Sequence, residues 1–220
     1  MTLAIFDLDN TLIRGDSDHA WGQFLVDQGL IDTAQAGSAN DYFLAQYQAG
    51  TLNIDEYLTF ALGFLAGTSP AELAPLHRQF MAEVIEPMVL PEAVKLIEHH
   101  RALGHQLLII TATNRFVTEP IAQRLGIEQL IACEAELIGG RYTGKATGTP
   151  SFAHGKVVRL KQWLIEQDAS LNGAWFYSDS RNDLPLLEQV ENPIAVNPDE
   201  TLRDIAQTKG WAILDLRKNL

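Results

Sequence analysis

The chain has 220 residues, of which 46% are hydrophobic, and its formal net charge is −12. This length suffices for one good core, or for a core domain with a modest second one. The acidic balance argues against a nucleic-acid-binding surface. One cysteine, Cys133, excludes an intramolecular disulfide and favours a reducing, cytoplasmic setting. No apolar run approaches the ~20 residues of a membrane span, and the start has no signal-peptide pattern, so we expect a soluble protein without membrane partners.

The first predicted strand ends in two acids. A short apolar run at residues 4–6 predicts a buried strand. It is followed by Asp7 and Asp9, and then by the turn-forming residues Asn10 and Thr11. In an open α/β sheet this position lies at the rim where ligands bind. Two carboxylates so close repel each other unless a cation lies between them, and their oxygens suit Mg²⁺.

A helical insert is predicted after this strand. Trp21, Phe24 and Leu25 share one helix face, with Ser17 or Asp18 as the N-cap. No alternating strand pattern occurs up to about residue 86. Apolar spacing predicts further helices over three ranges: 42–48, 54–65 and 70–85.

Strands and helices alternate in the rest of the chain. Strands are predicted over 106–110, 130–133, 174–178, 193–196 and 211–214. Helices are predicted over 91–103, 117–125 and 156–167, and a last one is predicted with Asn197 as its N-cap, Pro198 in its first turn and Gly210 at its end. Gly139-Gly140 predicts a β-hairpin. The alternation indicates an α/β fold with a mostly parallel sheet covered by helices on both faces.

The run Asp7-Leu8-Asp9-Asn10-Thr11 resembles the first motif of the haloacid dehalogenase-like (HAD) phosphatases, in the branch that includes phosphoserine phosphatase and the histidinol-phosphate phosphatases. Thr111, Lys156 and the acids Asp179 and Asp183 follow in the order of the other three family motifs. The four motifs together are far more specific than any one of them. The resemblance implies a HAD-like Rossmannoid parallel-sheet core formed by residues 1–14 and 88–220, with an all-helical cap domain inserted at 15–87.

The resemblance also implies an Mg²⁺-dependent phosphomonoester hydrolase that works through an aspartyl-phosphate. Asp7 would be the nucleophile, and Asp9 the general acid that later activates water. Mg²⁺ would be held by Asp7, the backbone carbonyl of Asp9 and Asp179, while Asp183 would fix a metal-bound water.

Four further residues are expected beside the phosphate or the substrate. Thr111 would offer its hydroxyl and Ala112 its amide to phosphoryl oxygens. Lys156 would neutralise the charge that builds up in the transition state. Asn182 resembles the family's amide beside the metal-binding acid, and is expected to contact phosphate or substrate.

Each of these residues also has an ordinary structural interpretation. Asp7 and Asp9 could be turn acids, Thr111 could end a strand, Lys156 could lie in a first helical turn, and Asp183 could be an N-cap. Their order along the chain favours the catalytic interpretation. No role is assigned to five histidines that are expected to be structural or exposed: His77, His99, His100, His105 and His154.

The charge of the insert bears on the substrate. Between Gly15 and Leu90 the only lysine or arginine is Arg78, against ten aspartates and glutamates. Asp16 and Asp18 follow the first motif and would suit a substrate with a positive amine. We therefore expect a small aminated phosphomonoester, with L-histidinol phosphate as the best single candidate. The simple alternative is that these acids are only solvated surface groups.

Three other functions remain open on the sequence. One is hydrolysis of phosphoserine or another small ester, and one is phosphotransfer to an alcohol in place of water. The third is a non-catalytic phosphate- or Mg²⁺-binding module on the same fold. A proton-transfer acid at Asp9 together with Lys156 favours an enzyme, because a binding module does not need this pair. The sequence does not indicate the oligomeric state.

Overall fold

The computed structural model describes residues 2–31 and 38–218. The strands are β1 (Leu3–Phe6), β2 (Gln106–Asn114), β3 (Gln129–Ile138), β4 (Arg141–Thr147), β5 (Trp175–Ser178), β6 (Asn192–Val196) and β7 (Ala212–Leu214). The helices are α1 (Ser17–Asp27), α2 (Ser38–Ala49), α3 (Ile54–Gly63), α4 (Pro70–Phe80), α5 (Glu86–Met88), α6 (Pro91–Ala102), α7 (Arg115–Arg124), α8 (His154–Glu166), α9 (Leu184–Leu187) and α10 (Glu200–Lys209). A π-helical turn, Met81–Ile85, joins α4 to α5, and a 3-10 turn, Arg181–Asp183, precedes α9.

The strands form one sheet in the order β4-β3-β2-β1-β5-β6-β7. β4 runs antiparallel to β3 as the second arm of a hairpin, and the other neighbouring pairs are parallel. β1 lies at the centre, where Phe6 pairs with Ile109 of β2 and with Tyr177 of β5. The loops that follow β1, β2 and β5 therefore meet at one edge. The α/β fold predicted from the sequence is confirmed.

Both faces of β1 are buried, which explains its uninterrupted apolar sequence. Ala4 and Phe6 pack on one face with residues from α6 and α7. Leu3 and Ile5 pack on the opposite face with residues from α8 and α10. This two-sided core holds the carboxyl ends of the central strands in fixed positions.

Helices α1 to α5 form the insert between β1 and α6. The two chain segments that enter and leave it run side by side: Ile13 and Val89 form an antiparallel bridge, and Arg14 N donates to Met88 O at 2.7 Å. The predicted boundaries between the core domain (1–14 and 88–220) and the cap domain (15–87) lie at this crossing. The division into two domains stays a prediction. In the described part of the chain, no helix combines the length and the apolar character needed to cross a membrane.

Two helices begin elsewhere than the sequence predicted. The N-cap of α1 is Asp16, whose carboxylate accepts from the backbone N–H groups of Asp18 and His19 at 2.9 and 2.8 Å. The prediction of Ser17 or Asp18 was wrong by one or two residues, because all three residue types can cap a helix.

Helix α10, which follows β6, also begins at a different residue from the one predicted. Asp199 caps α10 by accepting from Leu202 N at 2.7 Å, so the prediction of Asn197 as the cap was wrong. Asn197 has φ +45°, which differs from the extended backbone usual at an N-cap. The predicted helix 70–85 likewise leaves α-geometry after Phe80 and continues as the π-helical turn.

Candidate active site

Polar side chains from four segments converge at the carboxyl edge of the sheet. Asp7 and Asp9 follow β1, Thr111 lies in β2, Lys156 lies in the first turn of α8, and Asp183 lies in the turn after β5. The ends of parallel neighbouring strands meet at the same edge, and this topology brings residues far apart in sequence together.

Lys156 links two of the acids. Its Nζ donates to Asp7 Oδ1 and to Asp183 Oδ2, each at 2.8 Å, and its side chain is 1% exposed. Ser178 Oγ donates to the same Asp183 oxygen at 2.7 Å. Burial lowers the pKa of Lys156, but Asp183 and Asp7 outweigh it, so the pKa stays above its usual value and the lysine stays charged.

Asp7 is buried beside this cation. Burial raises its pKa to about 7 although Lys156 acts in the opposite direction, and repulsion from Asp183 and Asp9 contributes to the rise. The lysine occupies one carboxylate oxygen, Oδ1, and no hydrogen bond among the described residues uses the other. Asp7 thus presents one oxygen without a proton donor.

Asp9 is held by the insert as well as by the core. Its Oδ1 accepts from Ser17 N at 2.6 Å, and its Oδ2 accepts from Thr113 Oγ1 at 2.9 Å. Burial, followed by repulsion from Asp16, raises the pKa of Asp9 to about 7. A carboxyl group with such a pKa can both give and take a proton near neutral pH.

The acids near Asp179 fit a divalent cation. Thr11 Oγ1 donates to Asp179 Oδ1 at 3.3 Å, and burial, followed by repulsion from Asp7 and Asp183, raises the pKa of Asp179 far above its ordinary value. Asp183 Oδ1 is buried without a hydrogen-bond partner among the described residues. The Asp9 carbonyl also accepts no hydrogen bond there. Hard oxygen atoms without proton donors are what Mg²⁺ requires.

In the described part of the chain no three acids, histidines or cysteines form a complete metal-binding group by themselves. The implied ligand set needs only two carboxylates, Asp7 and Asp179, with the Asp9 carbonyl, and the remaining positions would fall to water and substrate.

A pocket opens above these residues, between the core and the insert. Its core side consists of Asp7, Asp9 and the residues 111–113. Its insert side consists of polar groups, rings and two leucines: Asp16, His19, Asn40, Phe43, Leu44, Tyr47, Leu52 and Tyr57. Among the described residues, no lysine or arginine lines this pocket. Arg78 is exposed in a separate groove between α4 and α7.

Some of the residues expected to contact the substrate line the pocket, and others do not. Thr111 and Ala112 line the pocket. Asp18 does not, because its carboxylate lies between α3 and the end of β2, where it accepts from Tyr57 Oη and, at 3.2 Å, from Asn114 Nδ2. Of these two acids at the start of the insert, Asp16 is the one that lines the pocket. Asn182 uses its amide to donate to the Tyr47 carbonyl at 3.0 Å, so it contacts the insert.

Several supporting residues were missed from the sequence. Ser17 and Thr113 hold Asp9, and Ser178 holds Asp183. His19 lines the pocket, with its Nε2 at 2.8 Å from Asp41 Oδ1. The position of His19 three residues after Asp16 is the signal that could have identified it, because residues i and i+3 share a helix face.

The sequence matches the haloacid dehalogenase-like hydrolase family over residues 4–188. It is 48% identical over 219 residues to a histidinol-phosphatase from Neisseria meningitidis serogroup C (strain 8013), an alignment that covers 98% of this chain and 99% of the relative. It is 33% identical to Phosphoserine phosphatase SerB1 from Mycobacterium tuberculosis (strain ATCC 25618 / H37Rv), over 97% of this chain and 70% of that protein.

A solved structure has a closely similar fold. The crystal structure of a protein of unknown function from Bordetella pertussis Tohama I superposes with a TM-score of 0.91 and 47% sequence identity. The match covers 98% of this chain and 100% of that one.

Proposed function

The chain belongs to the haloacid dehalogenase-like hydrolases and is a phosphatase, and we propose that it hydrolyses a small aminated phosphomonoester, L-histidinol phosphate, through an aspartyl-phosphate with Mg²⁺. The mechanism rests on the position of Asp7 and Asp9 in one pocket, with the buried Lys156 bonded to Asp7 from behind the pocket wall. The choice of substrate rests on the charge of the pocket lining.

Asp7 is the nucleophile in this proposal. One of its carboxylate oxygens bonds to phosphorus while the bond from phosphorus to the ester oxygen breaks. Lys156 holds the other oxygen at 2.8 Å and offsets the negative charge that the phosphoryl group brings into the pocket. Bound Mg²⁺, held by Asp7, Asp179 and the Asp9 carbonyl with Asp183 beside it, would supply electrostatic stabilisation of the phosphoryl oxygens.

Asp9 moves the protons. In the first step its carboxyl group gives a proton to the departing alkoxide. In the second step its carboxylate takes a proton from a water whose oxygen attacks phosphorus, and the bond from phosphorus to Asp7 breaks. The products are inorganic phosphate and the free Asp7 carboxylate. The pKa of about 7 supports both roles.

The organic half of the substrate faces the insert. Asp16 presents a carboxylate that suits an ammonium group, and the rings of Phe43 and Tyr57 offer flat apolar surfaces for a planar heterocycle. A substrate carboxylate would meet no lysine or arginine there. The high identity to a protein named histidinol-phosphatase supports the same choice.

The mechanism is tested with p-nitrophenyl phosphate and a panel of metabolite esters. We expect hydrolysis to stop when EDTA is added and to return with Mg²⁺. Asp7→Asn should lower kcat by at least about 10³-fold, since removal of a nucleophile costs this much or more. Asp27→Asn, at an exposed aspartate of α1, is the control. Full activity of Asp7→Asn would exclude the aspartyl-phosphate.

The substrate is tested with Asp16→Asn. Asparagine can still cap α1, so the substitution removes the charge and keeps the fold. We expect KM for histidinol phosphate to rise about tenfold or more, with little change for p-nitrophenyl phosphate, because only the first ester carries an amine. Asp18→Asn removes a neighbouring buried charge outside the pocket and is the matched control. Equal changes for both esters would remove Asp16 from the substrate site.

Phosphoserine is the second candidate, since a relative at 33% identity is named a phosphoserine phosphatase. It shares the amine but adds a carboxylate, for which the described lining of the pocket offers no lysine or arginine. We therefore expect kcat/KM for histidinol phosphate to exceed that for phosphoserine. The reverse order in the ester panel would refute the charge argument.

A further inference from the structure

The end of the chain reaches back to the loop of the proposed nucleophile. Arg217 Nη2 donates to Asn10 Oδ1 at 3.1 Å and to the Asn10 carbonyl at 3.4 Å. These are its side-chain hydrogen bonds among the described residues, and its Nε is buried without a partner. Arg217 lies outside residues 4–188, which match the family, whereas its partner Asn10 lies inside that range.

Asn197 reinforces the same contact. Its Nδ2 donates to the Asn10 carbonyl at 3.2 Å, and its Oδ1 accepts from Leu216 N at 2.9 Å. Asn197 therefore connects the final segment to Asn10, and the side chain and the carbonyl of Asn10 are both held from the end of the chain.

Asn10 needs this support because of its backbone. Its φ is +57°, in the left-handed region that costs a residue with a side chain about 1 kcal/mol. The peptide group between Asp9 and Asn10 carries the carbonyl that the proposed function assigns to the metal. The φ of Asn10 helps to set the direction of this carbonyl, which accepts no hydrogen bond from the described residues.

We propose that Arg217 is a positioning residue of the active site, which holds Asn10 in the left-handed conformation and so aims the Asp9 carbonyl for Mg²⁺. This inference rests on the proposed function. It concerns affinity for the metal, and predicts little effect on the chemical steps once the metal is bound.

Two substitutions separate positioning from charge. Arg217→Met removes the donors and the charge, and Arg217→Lys removes the planar pair of donors and keeps the charge. We expect both to weaken Mg²⁺ binding about tenfold, as loss of a residue that orients a metal ligand commonly does. A purely electrostatic role predicts the opposite sign for Arg217→Met, because loss of a cation near the acids strengthens cation binding.

Mg²⁺ binding is measured from the rise in melting temperature with Mg²⁺ concentration, without substrate. The kcat at saturating Mg²⁺ should stay within about twofold of the unmodified value, and the melting temperature without Mg²⁺ reports any general damage. Lys218→Met removes a neighbouring exposed charge from the same segment and should leave Mg²⁺ affinity unchanged. Arg217→Met combined with Asn10→Gly should bind Mg²⁺ no more weakly than Asn10→Gly alone.

The inference is overturned if Arg217→Met binds Mg²⁺ as well as the unmodified protein or better, or if Lys218→Met weakens binding equally. It is also overturned if the effects of Arg217→Met and Asn10→Gly add. If Mg²⁺ neither stabilises the unmodified protein nor supports ester hydrolysis, the proposed function itself fails, and the two failures are distinguishable.

Discussion

The carboxylates in the two halves of the acidic site receive hydrogen bonds from different kinds of donor. In the core half, Asp7 and Asp183 share the ammonium group of Lys156, with both distances at 2.8 Å. In the half beside the insert, no lysine or arginine of the described chain segments donates a hydrogen bond to Asp9, Asp16 or Asp18. Those three carboxylates are held by backbone N–H groups, hydroxyl groups and one amide.

Under the proposed function, the difference follows from what each half has to do. A nucleophile must be ionised when a phosphate arrives, and Lys156 favours the ionised form of Asp7, although burial still raises the pKa of Asp7 to about 7. A proton-transfer group must change its charge, and Asp9 has only neutral donors, with burial raising its pKa to about 7 and the pKa values of Asp16 and Asp18 to about 6. Three substitutions test this comparison, from the largest expected effect to the smallest, and a fourth tests a shifted pKa outside the pocket.

Loss of the fixed cation should be the most damaging change. Lys156→Met leaves Asp7 and Asp183 buried without their partner, so we expect the free energy of unfolding to fall by about 3–5 kcal/mol. We also expect kcat to fall by about 10²–10³-fold. Urea unfolding and ester hydrolysis measure the two effects. Lys161→Met, at an exposed lysine of the same helix, is the control, and similar results for both variants would refute the assignment of Lys156.

The proposed proton-transfer role of Asp9 is tested with esters that differ in their leaving groups. Asp9→Asn should lower kcat for an alkyl phosphate by about 10²–10⁴-fold, the usual contribution of a general acid. The loss should be smaller for p-nitrophenyl phosphate, because nitrophenolate leaves without a proton. The ratio of the two kcat values distinguishes proton transfer from positioning. An equal loss for both esters would mean that Asp9 only positions other groups.

A buried carboxylate whose hydrogen-bond donors are all neutral should lower the free energy of unfolding when it is ionised. Burial raises the pKa of Asp18 from 3.8 to about 6, so the ionised form is disfavoured in the folded state. The cost is absent below about pH 3.8, increases between pH 3.8 and about 6, and stays constant above that at no more than about 3 kcal/mol. Asp18→Asn should therefore raise stability at pH 8 and leave it unchanged at pH 3.5. Urea unfolding at both values, with Asp27→Asn as the exposed control, would show the difference.

The face of the sheet that packs against α6 contains a polar cluster without a proposed catalytic role. His100 places Nδ1 at 2.8 Å from His105 Nδ1 and Nε2 at 2.7 Å from Tyr177 Oη, and burial lowers its pKa to about 4. An unfolded histidine binds a proton below about pH 6.5, so this group stabilises the fold fully above that value and loses its contribution as the pH falls towards 4.

We expect His100→Gln to remove about 2 kcal/mol of the stability difference between pH 7 and pH 5. His154→Gln, at an exposed histidine, should keep that difference. Catalysis at saturating substrate should be unaffected by either change. Loss of activity in His100→Gln at unchanged stability would show that shifted pKa values outside the pocket also serve the reaction.

The sequence predicted that the proposed catalytic residues would meet at one edge of the sheet, because these residues follow apolar strands. Asp7, Thr111 and Asp179 each lie in or directly after such a run, and parallel pairing then brings them together whatever the details of the helices. The choice between Asp16 and Asp18 was harder. Residues two positions apart on a helix differ in direction by about 200°, so the acid that faces the pocket depends on where α1 begins.

The contacts of Asn10 could not be predicted from any local pattern. Its partners Asn197 and Arg217 lie 187 and 207 positions away, and only the folded chain brings them together. Asn197 was misassigned as a helix cap for the same reason: its type suits a cap, whereas its actual partners lie in two distant segments.

The hydrogen bond from Asn182 to the Tyr47 carbonyl ties the tip of α2 to the turn that carries Asp183. Gly50 lies so close to the Arg181 guanidinium that a Cβ there would be 2.5 Å from one of its nitrogens. An ester whose organic part contacts α2 would therefore be connected, through these two contacts, to the turn that carries Asp183, the residue that accepts from Lys156 Nζ at 2.8 Å. Under the proposed function we expect methyl phosphate, which is too small to reach α2, to have a lower kcat as well as a higher KM than a larger ester.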